Sequence, residues 1–422
     1  MKRKKKPKSK SDAKTKRSPP VKKLWTVAVY MAGDNDLDNN GKLDLAEMKK
    51  VGSTADMNVV VQFDSLSAGS KTTRYEISKG SIARLAKDAK QKLGTQNTGD
   101  PQSLIGFIDW VATNYPAEHY LLVLWNHGQG WDDTDIFADS RSASSRLPRT
   151  SALHHALFRT TVVKAEKGSR QVNMRAILID DNSKDFLDNV EMKKVLQAAQ
   201  TKLGQKLDIL GMDACLMNQA EVIYQVRANT LFAVGSELTE PLDGWPYTDI
   251  LSKLAKNPST TPAELAKIIV SDYIASYKTD PTPVTQSAVD VSKVEAVANA
   301  VDQLGQALLA AISDANVKDV VKFARFKTQQ FDDNLHANVD LDHFCELVGA
   351  AQVPAAVKTA AASVHNALAS YVIANGNRRK PVENARGVSI YFPTYDVSPL
   401  YSTNLDFAKQ TSWTQFLNAF VL

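Results

Sequence analysis

Two short apolar runs in this chain each stop at a residue that can do chemistry. YLLVLWNHG fills 120–128 and ends in His127 and Gly128, and LDILGMDAC fills 207–215 and ends in Cys215. A cysteine facing a histidine is the nucleophile and base of thiol catalysis: the imidazole takes the thiol proton, and the thiolate attacks an electrophilic carbon. A free thiol, with a pKa of ~8.5, is mostly protonated at neutral pH, so such a site must activate it. Singly, a cysteine is more often a small buried apolar residue and a histidine a satisfied polar one. Each at the end of a strand-like run, the two together are far more specific.

The elements that must position them follow from the same pattern. Apolar runs bounded by Gly, Pro or polar residues predict buried strands at 25–31, 58–63, 120–125, 175–179, 207–211 and 231–235. Helical stretches are predicted between them at 43–51, 102–113, 189–202 and 216–227. This alternation implies an α/β fold with a mainly parallel central sheet and helices on both faces. In such sheets functional residues collect beyond the carboxyl ends of the strands, where His127 and Cys215 both stand. A helix opening at Leu216 would place Cys215 near its positive end and favour the thiolate. The backbone N–H groups of Gly128 and Cys215 are the expected oxyanion donors, Gly128 allowing close approach of the backbone.

After about residue 258 the chain turns alanine-rich and helical, at 262–276, 293–312 and 354–374, with strand-like runs at 286–291 and 387–392. The expected organisation is a basic tail at 1–23, a catalytic domain at 24–258 and a largely helical C-terminal extension at 259–422. Cys345, in LDHFCELV at 341–348, reads as a core residue of an amphipathic helix. With two cysteines in 422 residues there is no disulfide framework. No apolar run approaches the ~20 residues that span a bilayer.

Charge is unevenly placed. Residues 1–23 hold twelve Lys or Arg and one Asp, a net +11, so the overall +5 leaves −6 on the rest. The tail has almost nothing apolar and is expected to be disordered. The mildly acidic body suits cationic substrates better than phosphates. No phosphate-cradling glycine motif follows a strand, and no Cys/His cluster has zinc spacing. The segment 139–175 is rich in arginine, serine and threonine, and reads as a long surface loop between the two reactive blocks.

One motif points elsewhere. DLDNNGKLDLAE at 36–47 fits the twelve-residue calcium-loop template through Asp36, Asp38, Asn40, Asp44 and Glu47, with Gly41 at the sixth place. A strand rather than a helix precedes it, so the paired-helix context is missing.

Six blocks carry a family resemblance: VAVYMAGDNDLD at 27–38, LWNHGQGW at 124–131, MDACLMNQAEV at 212–222, GSELTEPLDGWPY at 235–247, VTQSAVDVS at 284–292 and ARGVSIYFP at 385–393. In this order they resemble the clostripain-like cysteine peptidases of the caspase, legumain and gingipain clan. The resemblance implies a caspase-like αβα sandwich, a Cys215–His127 dyad and cleavage after Arg, less readily Lys. It places Asp213 in the pocket for the cationic P1 side chain, where a carboxylate can hold a guanidinium bidentately. It makes Ser236, Glu237 and Glu240 substrate-lining, whereas GWPY at 244–247 reads as a structural turn. It turns 139–175 into a self-processing segment, with Arg141, Arg146 and Arg149 as the favoured bonds. No residue is singled out to orient His127, Asn126 and Asp132 being the nearby polar candidates.

Cofactors are not required on this reading, although calcium dependence occurs in the family and 36–47 is where an ion would bind. Partners are peptides or proteins with Arg or Lys at P1, and a monomer is expected. The runner-up readings are a transpeptidase or ligase on the same scaffold, and a polyanion-binding protein acting through the tail. The N-terminus lacks the apolar stretch of a signal peptide, which reads as cytoplasmic, whereas similar proteins are commonly exported.

Overall fold

Alternation of apolar residues along β1 (Lys23–Gly33) explains the layering of the whole molecule. Trp25, Val27, Val29 and Met31 enter one core, while Ala28, Tyr30 and Ala32 enter another on the opposite face. A computed structural model describes residues 20–69, 71–84, 93–132, 177–331 and 337–421. The further strands are β2 (Met57–Ser65), β3 (Lys71–Ser78), β4 (Ser81–Arg84), β5 (Ala117–Trp125), β6 (Ile177–Asp180), β7 (Asp185–Leu187), β8 (Leu207–Asp213) and β9 (Thr230–Gly235). Closer to the C-terminus lie β10 (Val284–Asp290), β11 (Asn338–Asp340), β12 (Val372–Arg378) and β13 (Ser389–Tyr391).

Among the described residues, nine strands form one sheet in the order β12-β10-β9-β8-β5-β1-β2-β3-β4. Its centre, β9-β8-β5-β1-β2, is parallel throughout. Antiparallel strands finish both margins. One face packs on the helices Asp38–Val51, Tyr247–Lys256 and Pro262–Ser276. The other packs on Pro101–Asn114, Asn189–Leu203, Val294–Ala311, Ala355–Tyr371 and Trp413–Val421. The result is the expected αβα sandwich. Local signals set the helix starts: Asp188 with Glu191, and Thr261 with Glu264, form capping boxes. No described helix is long and apolar enough to cross a membrane.

Several elements differ from expectation. The helix foreseen at 216–227 is confined to Ala220–Val226, because Leu216 takes a left-handed backbone, φ 60°, in the turn after β8. β6 leaves the main sheet and pairs antiparallel with β7. The stretch 36–47 is helical from Asp38 onward. The alanine-rich run at 354–374 ends as a helix at Tyr371, and Val372 and Ile373 begin an edge strand beside β10. Within 387–392, only β13 is strand, and it pairs with β11 rather than with the main sheet. Lys23, assigned above to the tail, opens β1, and its ammonium donates to the carbonyl of Thr54 at 2.6 Å. Residues 1–19 and the whole of 139–175, including Arg141, Arg146 and Arg149, lie outside the described residues.

Candidate active site

The last paired rung between β5 and β8 joins Trp125 to Asp213, and His127 and Cys215 each stand two residues beyond it. The N–H of Asn126 donates to the carbonyl of Asp213 at 3.3 Å, so the two turns leave the sheet side by side. Gly128 keeps them in contact. A Cβ there would lie 2.6 Å from the carbonyl oxygen of Cys215 and 3.0 Å from Cβ of Ala214. His127 is buried, and its Nε2 lies 3.1 Å from Oδ1 of Asp36 in the loop after β1. Asn126 acts on the backbone instead, its amide donating to the carbonyl of Ala32 and accepting from the N–H of Ile179 at 2.8 Å. Asp132 is buried as well.

Cys215 is half-buried and sits in a tight turn, not at a helix start, which removes helix-dipole activation of the thiol. The left-handed Leu216 that follows is a strained conformation for a side chain of this size. Its burial against Phe331, Val382 and Ala385, and its N–H donated to Leu238 at 3.1 Å, offset that strain. Sγ accepts from the N–H of Glu240 at 3.2 Å. Burial, reinforced by the carboxyl groups of Glu240 and Asp213, pushes the thiol up to about 12. At rest, therefore, it is protonated.

Beside the thiol lies a cluster of acidic residues on the face covered by Asp38–Val51 and Tyr247–Lys256. Asp213 is 5% exposed, and its Oδ2 accepts the Tyr247 hydroxyl proton at 2.8 Å. Gly244, with φ 55°, leaves the space in front of Oδ1, where a Cβ would approach to 3.1 Å. Glu240 hydrogen-bonds to Asp213 and, through Oε1, to the Gln286 amide at 3.0 Å. Asp44 accepts from the Trp125 indole N–H at 2.7 Å. Burial raises Asp213 to about 6. Burial and the charge of Asp213 raise Asp44 to about 9 and drive Glu240 well above the carboxylate range. The charged groups that bear on these three are mainly one another. At neutral pH burial therefore keeps Asp44 and Glu240 protonated.

Two residues expected to line the substrate site are instead committed to the fold. Ser236 is fully buried, with its hydroxyl 2.9 Å from that of Thr285. Oε2 of Glu237 accepts from the N–H of Gly387 at 2.8 Å, and its carboxyl shares a hydrogen bond with Asp340. Both fasten the end of β9 to later parts of the chain. Of the expected set, Asp213 and Glu240 belong to the acidic cluster.

The calcium-loop residues also disperse, because an α-helix points successive side chains in different directions and cannot wrap an ion as the twelve-residue loop does. Asp36 meets His127. Asp38 accepts from Lys42 and from Ser65, each at 2.6 Å. The Asn40 amide donates to the carbonyl of Leu242, and Glu47 accepts from the N–H of Thr248. Asp44 belongs to the acidic cluster. Asp36 and Asp44, read in the sequence as members of an ion loop, thus stand beside His127 and Asp213, and Tyr247, read as part of a structural turn, hydrogen-bonds to Asp213.

The family model described as the clostripain family matches residues 29–144 and 164–420. Clostripain from Hathewaya histolytica is 25% identical over 455 aligned positions, covering 92% of this chain and 78% of that protein. Among solved structures, a secreted C11 cysteine protease from Bacteroides thetaiotaomicron in complex with an irreversible peptide inhibitor is similar in fold. Its TM-score is 0.66 at 19% identity, covering 93% of this chain and 99% of that one. An inactive zymogen C11 protease from Parabacteroides distasonis gives a TM-score of 0.63 at 19% identity, with the same 93% and 99% coverage.

Proposed function

Because this chain belongs to the clostripain family and is a cysteine peptidase, we propose that it is an endopeptidase cleaving after Arg, and less readily Lys, through Cys215 and His127. The observation that carries the specificity is the cluster of Asp213, Glu240 and Asp44 beside the thiol. Three carboxyl groups gathered without a basic neighbour among the described residues are costly to ionise, and a guanidinium would let them do so while donating bidentate hydrogen bonds to them.

The chemistry follows from the same residues. With Nε2–H directed at Asp36, Nδ1 of His127 takes the thiol proton as the sulfur attacks the peptide carbonyl carbon. The N–H groups of Gly128 and Cys215 receive the oxyanion, and the imidazolium returns its proton to the leaving amine. Water, activated by the same imidazole, then hydrolyses the thioester.

Two measurements test this. On peptides varied at P1, the protein should favour Arg strongly over Leu. Asp213→Asn should cut kcat/KM for Arg peptides about ten- to a hundredfold, the worth of ~1.5–3 kcal/mol for a charge-assisted contact. Equal turnover of Leu and Arg peptides by the wild type would sink the reading.

Self-processing between the His127 and Cys215 blocks is part of the same proposal. It is supported by the break in the family match between 144 and 164, and by a fold neighbour described as a zymogen. Intact mass should show the stored wild type cut after Arg141, Arg146 or Arg149, with Cys215→Ala left whole. An uncut yet fully active wild type refutes the switch.

A further inference from the structure

We infer that Gln219 is a positioning residue for the proposed reaction: its side-chain amide bridges the turn that carries Cys215 and the loop that carries His127, and so holds the base against the nucleophile. The inference rests on the Cys215–His127 reading and adds a second tie between the two reacting segments. Gln219 lies four residues beyond Cys215, just ahead of the helix Ala220–Val226, and is 0% exposed. Its Oε1 accepts at 2.9 Å from the N–H of Trp131, which lies four residues beyond His127. Gly130 leaves the room for this approach. Its φ is 75°, and a Cβ there would collide with the amide of Gln219.

Stability does not explain this amide. Oε1 pairs one buried donor, while Nε2 is itself buried and makes no hydrogen bond among the described residues. The gain from the first is offset by the penalty of the second. What Gln219 provides is a fixed place for Trp131, and the surroundings serve the same end. The Asn189 amide donates to the carbonyls of Gly130 and Trp131 at 3.3 and 3.1 Å. The buried Trp131 indole meets the rings of Tyr391 and Tyr401 edge-on, with centroids 4.4 and 4.9 Å away. Oε1 of Glu221, two residues after Gln219, accepts from the N–H of Tyr391 at 3.0 Å and from the Tyr401 hydroxyl at 2.8 Å. One short stretch, 219–221, thus anchors both the backbone of Trp131 and the rings on which its indole rests.

Two ties then hold the loop of the base. Gly128 meets the Cys215 carbonyl directly after His127, and Trp131 meets Gln219 three residues further on. Residues 127–131 cannot pivot about the first contact while the second holds. Gln219 acts through the Trp131 backbone and takes no step in the proton or acyl transfer. Releasing that N–H would let the imidazole drift from the thiol, and ~1 Å of misplacement costs about a hundredfold in rate.

Full-length Gln219→Met and Gln219→Glu are compared with the wild type on the peptide that the wild type turns over fastest, and kcat, KM and melting temperature are measured for each. Gln219→Met keeps the length of the side chain and removes the acceptor. Its kcat should fall at least about tenfold with KM unchanged. Its melting temperature should hold, because one unpaired buried donor is exchanged for another. Gln219→Glu keeps an acceptor oxygen at the same reach and should recover part of the loss. Gln219→Ala should show the same fall in kcat, providing a second reading if Gln219→Met does not fold. Wild-type kcat in Gln219→Met, with or without a lower melting temperature, overturns the inference, as does a Gln219→Glu protein no faster than Gln219→Met. Cys215→Ala is assayed alongside. Activity in that protein ends the Cys215–His127 reading, whereas an inert Cys215→Ala beside a fully active Gln219→Met ends this inference alone.

Discussion

Asp36 touches His127 but not the reacting atoms, so its contribution is one of position. Asp36→Asn preserves its shape and removes the charge that faces Nε2. We expect kcat on an Arg peptide to fall about ten- to a hundredfold, from loss of a charge-assisted bond worth ~1.5–3 kcal/mol, with KM and melting temperature little changed. Asp36→Glu should recover part of the loss. A purely structural role would instead lower stability and leave kcat alone. The spacing of 36–47 hid this residue, because it fits an ion loop. What spacing cannot reveal is the β1–β5 register, Met31 opposite Trp125, which sets the loop carrying Asp36 beside the loop carrying His127. The nearness of Asp213 to Cys215 was legible because it lies two positions before it. Tyr247 and Asp44 were not, since they reach it from other elements.

At the scale of elements, the join between the β5 and β8 turns depends on an absent side chain. Gly128→Ala would drive a methyl group into the Cys215 carbonyl, a backbone atom that cannot swing aside. A displacement of ~1 Å at a catalytic centre costs about a hundredfold. Kinetics and melting together should therefore show activity falling by at least that factor, alongside a measurable loss of stability. Unaltered turnover would mean that the two turns are not held in register by this contact. The central strands were legible because both faces of the sheet are buried and their apolar runs are unbroken, as over 120–125. The turn at 216 was not, because a leucine at positive φ leaves no glycine to announce it. β12 was concealed by continuity with an alanine-rich helix. Its strand character comes from pairing with β10, a partner some ninety positions away.

Across the whole molecule, Glu237 and Asp340 fasten the parallel centre to the C-terminal region through a shared proton. Burial holds both carboxyl groups up, joined at Glu237 by the charge of Asp340 and at Asp340, which is raised to about 7, by that of Asp342. The N–H groups of His343 and Arg386 on Asp340, and of Gly387 on Glu237, oppose the shift. Carboxyl groups raised above their unfolded value of ~4 bind the proton more tightly in the folded chain. Their stabilisation is therefore complete below pH ~4 and is lost as pH rises through about 7. Melting temperatures from pH 5 to 8 should fall more steeply for the wild type than for Glu237→Gln, where no shared proton can leave. Parallel curves would assign the pH response to other groups.

The turn that carries Cys215 leans on residues far later in the chain. Leu216 packs on Val382 and Ala385, the Asn218 amide donates to the carbonyl of Gly387, and the N–H of Ser389 donates to that of Asn218. The turn that carries Cys215 therefore reaches its folded form only once residues 382–389 have joined it, and a fragment ending at residue 380 should turn over no Arg peptide, which a peptide assay of that fragment checks.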